Sequence, residues 1–154
     1  MNDDKVPKQD FLKYWRIVRY YVKEKYKLST PDLEMLLFLY SERYFKKGDF
    51  TEYEQIMSWD RYRWDRLRRE GWIIKFRPHK RSTGEGAVYC LSHYAKGIIK
   101  GVYQKLLGGD TFSVDVKRNP MGKQNTKYMN KVYRNYMKKI NEEYKAMKRN
   151  NANL

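Results

Sequence analysis

The sequence predicts a mostly α-helical fold carrying one small antiparallel β-hairpin, with helices flanking a compact middle. Three observations predict it. Large apolar side chains recur at three- and four-residue spacing through residues 8–27, the period of one helix face. Capping residues stand ahead of further apolar runs at Thr30, Asp49, Ser58 and Ser92. Two β-like runs, WIIKFRP and AVYCLS, flank the basic, glycine-containing HKRSTGEG, the pattern of a hairpin with a long tip. At 154 residues the chain has room for one ordinary domain with extensions.

The first helix, KQDFLKYWRIVRYYVKEKYK, places Phe11, Leu12, Trp15, Val18, Tyr21, Val22 and Tyr26 along one side. Thr30 as N-cap, Pro31 at the first helical position and acids in the first turn start a second helix that runs to about Tyr44. Its LEMLLFLY is apolar nearly all round, which marks it as the buried one. Asp49 caps a short third helix through about Met57, with Phe50, Tyr53 and Ile56 or Met57 on one face. Ser58 caps a fourth, Trp59 to Glu70, stopped by Gly71. After the hairpin, Ser92 opens HYAKGIIKGVYQKLL, where Gly97 and Gly101 either loosen the helix or mark close packing. Residues 109–123 read as a loop, 124–149 as a Tyr- and Lys-rich basic helix, and 150–154 as a frayed tail.

Thirty-four Lys and Arg against eighteen Asp and Glu give a net charge of +16, so a polyanion is the expected partner and nucleic acid the leading class. The charge is unevenly spread: residues 32–60 hold seven acids and three bases, residues 61–81 nine bases and two acids, and residues 117–149 eleven bases. A single cysteine, Cys90, excludes a disulfide within the chain and fits an intracellular setting, cytoplasm or nucleoid; it reads as a small core residue in a strand. With His79 and His93 as the only histidines, neither a metal nor a cofactor is expected. The polar N-terminus and short apolar runs such as Met35–Tyr40 predict neither secretion nor a membrane span. Paired carboxylates, nucleophile–base pairs and phosphate-binding glycine loops are not found, so an enzyme is the least expected class.

Three short helices followed by a two-stranded hairpin form a winged helix-turn-helix, and with a helix on either side the order resembles the MarR (multiple antibiotic resistance regulator) family of transcription factors. Ser58, Leu67, Gly71, Trp72 and Ile73 in S-x8-L-x3-G-W-I carry the resemblance, with Leu91, Ser92 and Gly97 in L-S-x4-G. It covers residues 10–108 and implies a recognition-helix cap, a last core leucine, the glycine before the first wing strand, and the junction after the wing. It further implies a winged-helix DNA-binding domain over residues 8–108 whose terminal helices, residues 8–27 and 93–149, interlock two subunits. The wing departs from the family's Asp-x-Arg element and carries Lys80 and Arg81 instead.

The stretch SWDRYRWDRLRREGW, residues 58–72, is where charge changes sign. With Leu67 facing the core and about 100° per residue, Trp64 joins it, Trp59 and Trp72 become partly buried rings at the helix ends, and Arg61, Tyr62, Asp65, Arg68 and Arg69 point away. Asp60 and Arg63, near the core face, read as an ion pair or a helix-start interaction. The candidate DNA-binding residues are Ser58, Arg61, Tyr62, Asp65, Arg66, Arg68 and Arg69 on a recognition helix over 58–70, and Arg77, His79, Lys80 and Arg81 on a wing over 77–86. Arg61 and Tyr62 are placed to read bases in the major groove, and Arg66, Arg68 and Arg69 to hold phosphates. The wing either enters the adjacent minor groove or touches backbone only. A charged helix face is often merely solvated; its continuity onto Lys75, Arg77, His79, Lys80 and Arg81 favours function here. The expected function is a homodimeric, sequence-specific double-stranded DNA-binding regulator, its small-molecule effector unknown. The alternative is an assembly protein of a phage or nucleoprotein particle that uses a winged helix for protein or RNA contact.

Overall fold

The computed structural model describes residues 11–113, 115, 117–119, 121 and 128–152. Its elements run α1 (Phe11–Tyr26), α2 (Thr30–Glu42), β1 (Tyr44–Phe45), α3 (Lys47–Glu54), α4 (Arg63–Arg69), β2 (Ile73–Arg77), β3 (Val88–Leu91), α5 (His93–Leu106) and α6 (Tyr128–Ala152). The fold is mostly helical with a small antiparallel sheet, as the patterning predicts. The chain does not form one domain over 8–108, however. It divides into one unit of residues 28–100 and a second built from residues 1–27 and 101–154, the boundary falling inside α5.

In the unit of residues 28–100, α2 is the buried helix: Leu33, Met35, Leu36 and Leu39 are fully enclosed. Its N-cap is Ser29, one residue earlier than expected, whose hydroxyl accepts the Asp32 N–H at 3.2 Å, which puts Pro31 in the first turn. Asp49 does not cap α3 directly. It sits three residues into the start, where its carboxylate accepts the Lys46 N–H at 2.8 Å, so α3 begins three residues earlier and ends at Glu54. A third strand, β1, is absent from the predicted elements because two residues carry no periodicity. It joins the hairpin in the order β1-β3-β2, with Tyr44 and Ile74 both opposite Cys90. Phe45, Ile73 and Leu91 line the sheet's buried face beside Leu67. Cys90 is buried in β3, as expected.

The second unit explains the aromatic wealth of the chain termini. Tyr14, Ile17, Val18, Tyr21 and Val22 of α1 are buried, and α1 packs on α6 of the same chain, where Met137, Ile140 and Tyr144 are buried. Tyr20 stacks on Tyr133 with centroids 3.8 Å apart, and the Tyr14 hydroxyl donates to Glu143 at 2.7 Å, holding that carboxyl below the usual glutamate range. The faces expected to serve a second subunit are thus in large part satisfied within one. Among the described residues of the expected loop, Phe112, Asn119 and Met121 are buried, and Asn141 brackets the Phe112 backbone with bonds of 2.7 and 2.9 Å. The Tyr144 hydroxyl, pushed up to about 12 by burial, donates to the Lys105 carbonyl. Helix α5, capped by the Ser92 hydroxyl on the Ala95 N–H, runs unbroken through Gly97 and Gly101, and neither glycine has a neighbour close enough to require it. Helix α6 continues to Ala152, so residues 150–152 are helical and not frayed; residues 124–127, 153 and 154 lie outside the described residues.

Candidate nucleic-acid interface

Helix α4 decides the geometry, and it is shorter than its sequence suggests. The expected helix over 58–70 is helical only from Arg63 to Arg69, with Tyr62 as a cap that makes no side-chain bond. The cause is Asp60, whose carboxylate accepts the Tyr62 N–H two residues on, at 2.9 Å. That local ring competes with the helical conformation and delays its start. Ser58 therefore caps nothing; it is exposed, and its carbonyl takes a bond from Arg63 Nη1 at 3.1 Å. Trp59, expected to be partly buried, is 76% exposed, while Trp72 at the other end is buried.

Beneath this segment lies a buried ionic cluster. The Arg63 side chain, 3% exposed, donates through Nε to Asp32 at 2.9 Å and through Nη1 to Glu54. Arg66 donates through Nη2 to both Asp32 oxygens at 2.8 Å and through Nη1 to Asp60 at 2.9 Å. The expected Asp60–Arg63 pair is thus replaced by Asp60 with Arg66, and Arg63 is shared by two other acids. Asp60 is held below the usual aspartate range by the Tyr62 N–H and by Arg66, and the Arg66 guanidinium is raised by Asp32. Arg66 is consequently committed inward and is not an available phosphate contact. One Glu54 carboxylate oxygen, Oε2, is buried without a hydrogen-bond partner.

The remaining predicted residues divide by exposure. Asp65 and Arg69, four apart on α4, are exposed, as are Arg61 and Tyr62 in the turn before it. The Arg61 guanidinium lies over the Tyr62 ring at 5.7 Å. Arg68 is half-buried over the Tyr89 ring at 4.9 Å, and Tyr89 meets Trp64 edge-on, which in turn meets Phe50. The outward face reads as expected for Arg61, Tyr62, Asp65 and Arg69, whereas Arg68 is anchored along its stem. In the loop between β2 and β3, Glu85 receives Arg77 at 3.4 Å and Lys80 at 3.9 Å, and its carbonyl accepts the Lys80 N–H at 2.9 Å. His79 and Arg81 are exposed.

Sequence reasoning missed the role of Asp32 and Glu54, which lie 31 and 9 residues from Arg63. Asp32 reads as an ordinary first-turn acid, and no local pattern marks its partner. Asp60 did carry a signal, since an aspartate two residues before a would-be helical N–H is the signature of a turn. Among the described residues no cluster of three metal-ligating side chains occurs, and no helix is long and apolar enough to cross a membrane. No family model, no curated protein and no solved structure matches this chain.

Proposed function

We propose that this chain is a sequence-specific, double-stranded DNA-binding transcriptional regulator of the winged helix-turn-helix kind, MarR-like in its flanking helices. One observation carries the reading. Within fifteen residues, two arginines turn inward to bind Asp32, Glu54 and Asp60, while Arg61 and Arg69 stay exposed and Arg68 is half-buried over Tyr89, none of the three taken up by that cluster. The order α2, β1, α3, α4, β2, β3, with sheet order β1-β3-β2, supports it by setting the basic α4 next to the basic hairpin. Arg61, Tyr62 and Asp65 are the base-reading candidates; Arg68, Arg69, Arg77, Lys80, Arg81 and His79 are the backbone and wing contacts. A second copy is proposed to dock on apolar side chains still exposed on the helices of the second unit, Phe11, Leu12, Tyr128, Met129 and Tyr136.

Selection of duplexes from a random pool tests the reading. Enrichment of a palindromic site is expected, with log affinity falling linearly in log salt by about 0.9 per phosphate neutralised. Absence of enrichment, together with stable incorporation into a nucleoprotein particle, would instead favour the assembly protein.

A further inference from the structure

We infer that the segment Ser58–Tyr62 is a preformed prong whose Trp59 ring stacks on an unstacked base of a single strand, a second mode of nucleic-acid contact distinct from groove reading. The inference rests on the reading above for its polyanionic partner.

The prong is held at both ends and at its middle. Arg63 Nη1 fixes the Ser58 carbonyl, the Asp60 carbonyl accepts the Arg63 N–H at 3.3 Å, and the Asp60 carboxylate is shared between the Tyr62 N–H and Arg66. These bonds come from side chains that are themselves buried or half-buried, so the backbone of the segment is preorganised. Trp59 and Tyr62 nonetheless project from it at 76% and 64% exposure. A tryptophan left in water forgoes the largest apolar burial available to any side chain, which is unusual on a backbone this firmly built.

Charge selects the occupant. Asp32, Glu54 and Asp60 are already bound by Arg63 and Arg66, and Asp65 is exposed on α4, while Arg61 enters no ion pair among the described residues and rests on the Tyr62 face. An exposed indole with a guanidinium two residues along the same segment matches a base with its phosphate: the ring takes the base's face and the cation the backbone charge. An aromatic protein side chain would satisfy Trp59 and leave Arg61 without an anion.

The test compares a mixed-sequence single-stranded DNA of twenty nucleotides with a strand of the same length whose internal positions lack bases, so that the phosphate charge is equal. The wild-type chain is expected to bind the base-bearing strand roughly ten-fold more tightly, the size of one good base–aromatic stack. Trp59→Ala should abolish that preference while leaving affinity for the base-free strand within about two-fold, and Trp59→Phe should keep most of it. Because Trp59 touches little, the circular dichroism of both variants should match the wild type. No preference in the wild type, or a preference surviving Trp59→Ala, overturns the inference. Binding of the selected duplex, measured alongside, separates the two ideas: duplex binding without base preference sinks the prong alone, and base preference without duplex binding sinks the duplex reading alone.

Discussion

Replacing Arg63 by alanine should be the most damaging single change in the unit of residues 28–100. The guanidinium satisfies Asp32 at 2.9 Å, Glu54, and the Ser58 carbonyl at 3.1 Å from a side chain 3% exposed. Without it Asp32 keeps Arg66, but Glu54 is left buried with no ion-pair partner among the described residues. Stranding a buried charge by removing its counterion costs about 3–5 kcal/mol. That is comparable to the whole stability of a small unit, whose total lies in the range of roughly 5–15 kcal/mol. With a urea dependence of about 2 kcal/mol per molar, the unfolding midpoint should drop by about 2 M at unchanged slope. Tryptophan fluorescence is the appropriate probe, since Trp59, Trp64 and Trp72 all lie in this unit. Arg66→Ala is the internal control: Arg66 is 28% exposed and leaves Asp32 bonded to Arg63, so about 1–2 kcal/mol is expected. Arg63→Met combined with Glu54→Gln should recover part of the loss, because the stranded charge goes with its partner. A midpoint shift for Arg63→Ala no larger than that for Arg66→Ala would refute the account of the cluster.

The same cluster separates stability from binding: Arg66→Ala should leave the salt slope of duplex binding unchanged, while Arg69→Ala or Arg81→Ala should each lower it by about one, and equal slopes in all three would contradict the assignment of inward and outward arginines. Acid should destabilise both units, because Asp60 and Glu143 are held below their ordinary values of 3.8 and 4.5. Their contribution is whole above about pH 5 and is lost as pH falls through those values towards the lower folded ones, so thermal unfolding should be level from neutrality to about pH 5 and drop below it. Glu143→Gln should flatten that drop, and a midpoint that rises on acidification would exclude the mechanism. Gly71→Ala should cost about 1–2 kcal/mol by calorimetry, since φ is +82° there although a Cβ meets nothing, and a neutral result would show that the turn relaxes. Cys90 should react with a thiol reagent only after denaturant is added; rapid modification of the native chain would show that β3 opens locally.

Helix identities were legible because the apolar period of α1, α2, α5 and α6 is long enough to average over exceptions. The hairpin was legible from its branched and aromatic runs and the glycines between them. Two kinds of information were not. The start of α4 depends on one hydrogen bond, Asp60 to the Tyr62 N–H, that periodicity cannot weigh against the helix it interrupts. The fate of Arg66 depends on Asp32, thirty-four positions away, and no spacing rule reports which of five arginines in one stretch finds a buried acid. Asp65 and Arg69 were placed outward because Leu67 sets the phase of α4, whereas Arg61 and Tyr62 are exposed in the turn before it, where that phase does not run.

The pairing of α1 with α6 has a consequence for how the chain comes into being. The unit of residues 28–100 is continuous and can close as soon as its last residues leave the ribosome. Helix α1, made before that unit, finds Glu143 only after more than a hundred further residues have been added, a delay on the order of ten seconds at ordinary rates of synthesis. Through that interval the stripe of Tyr14, Ile17, Val18, Tyr21 and Val22 has no cover from its eventual partner. A helix made before the unit of residues 28–100 is thus sheltered only after that unit is complete.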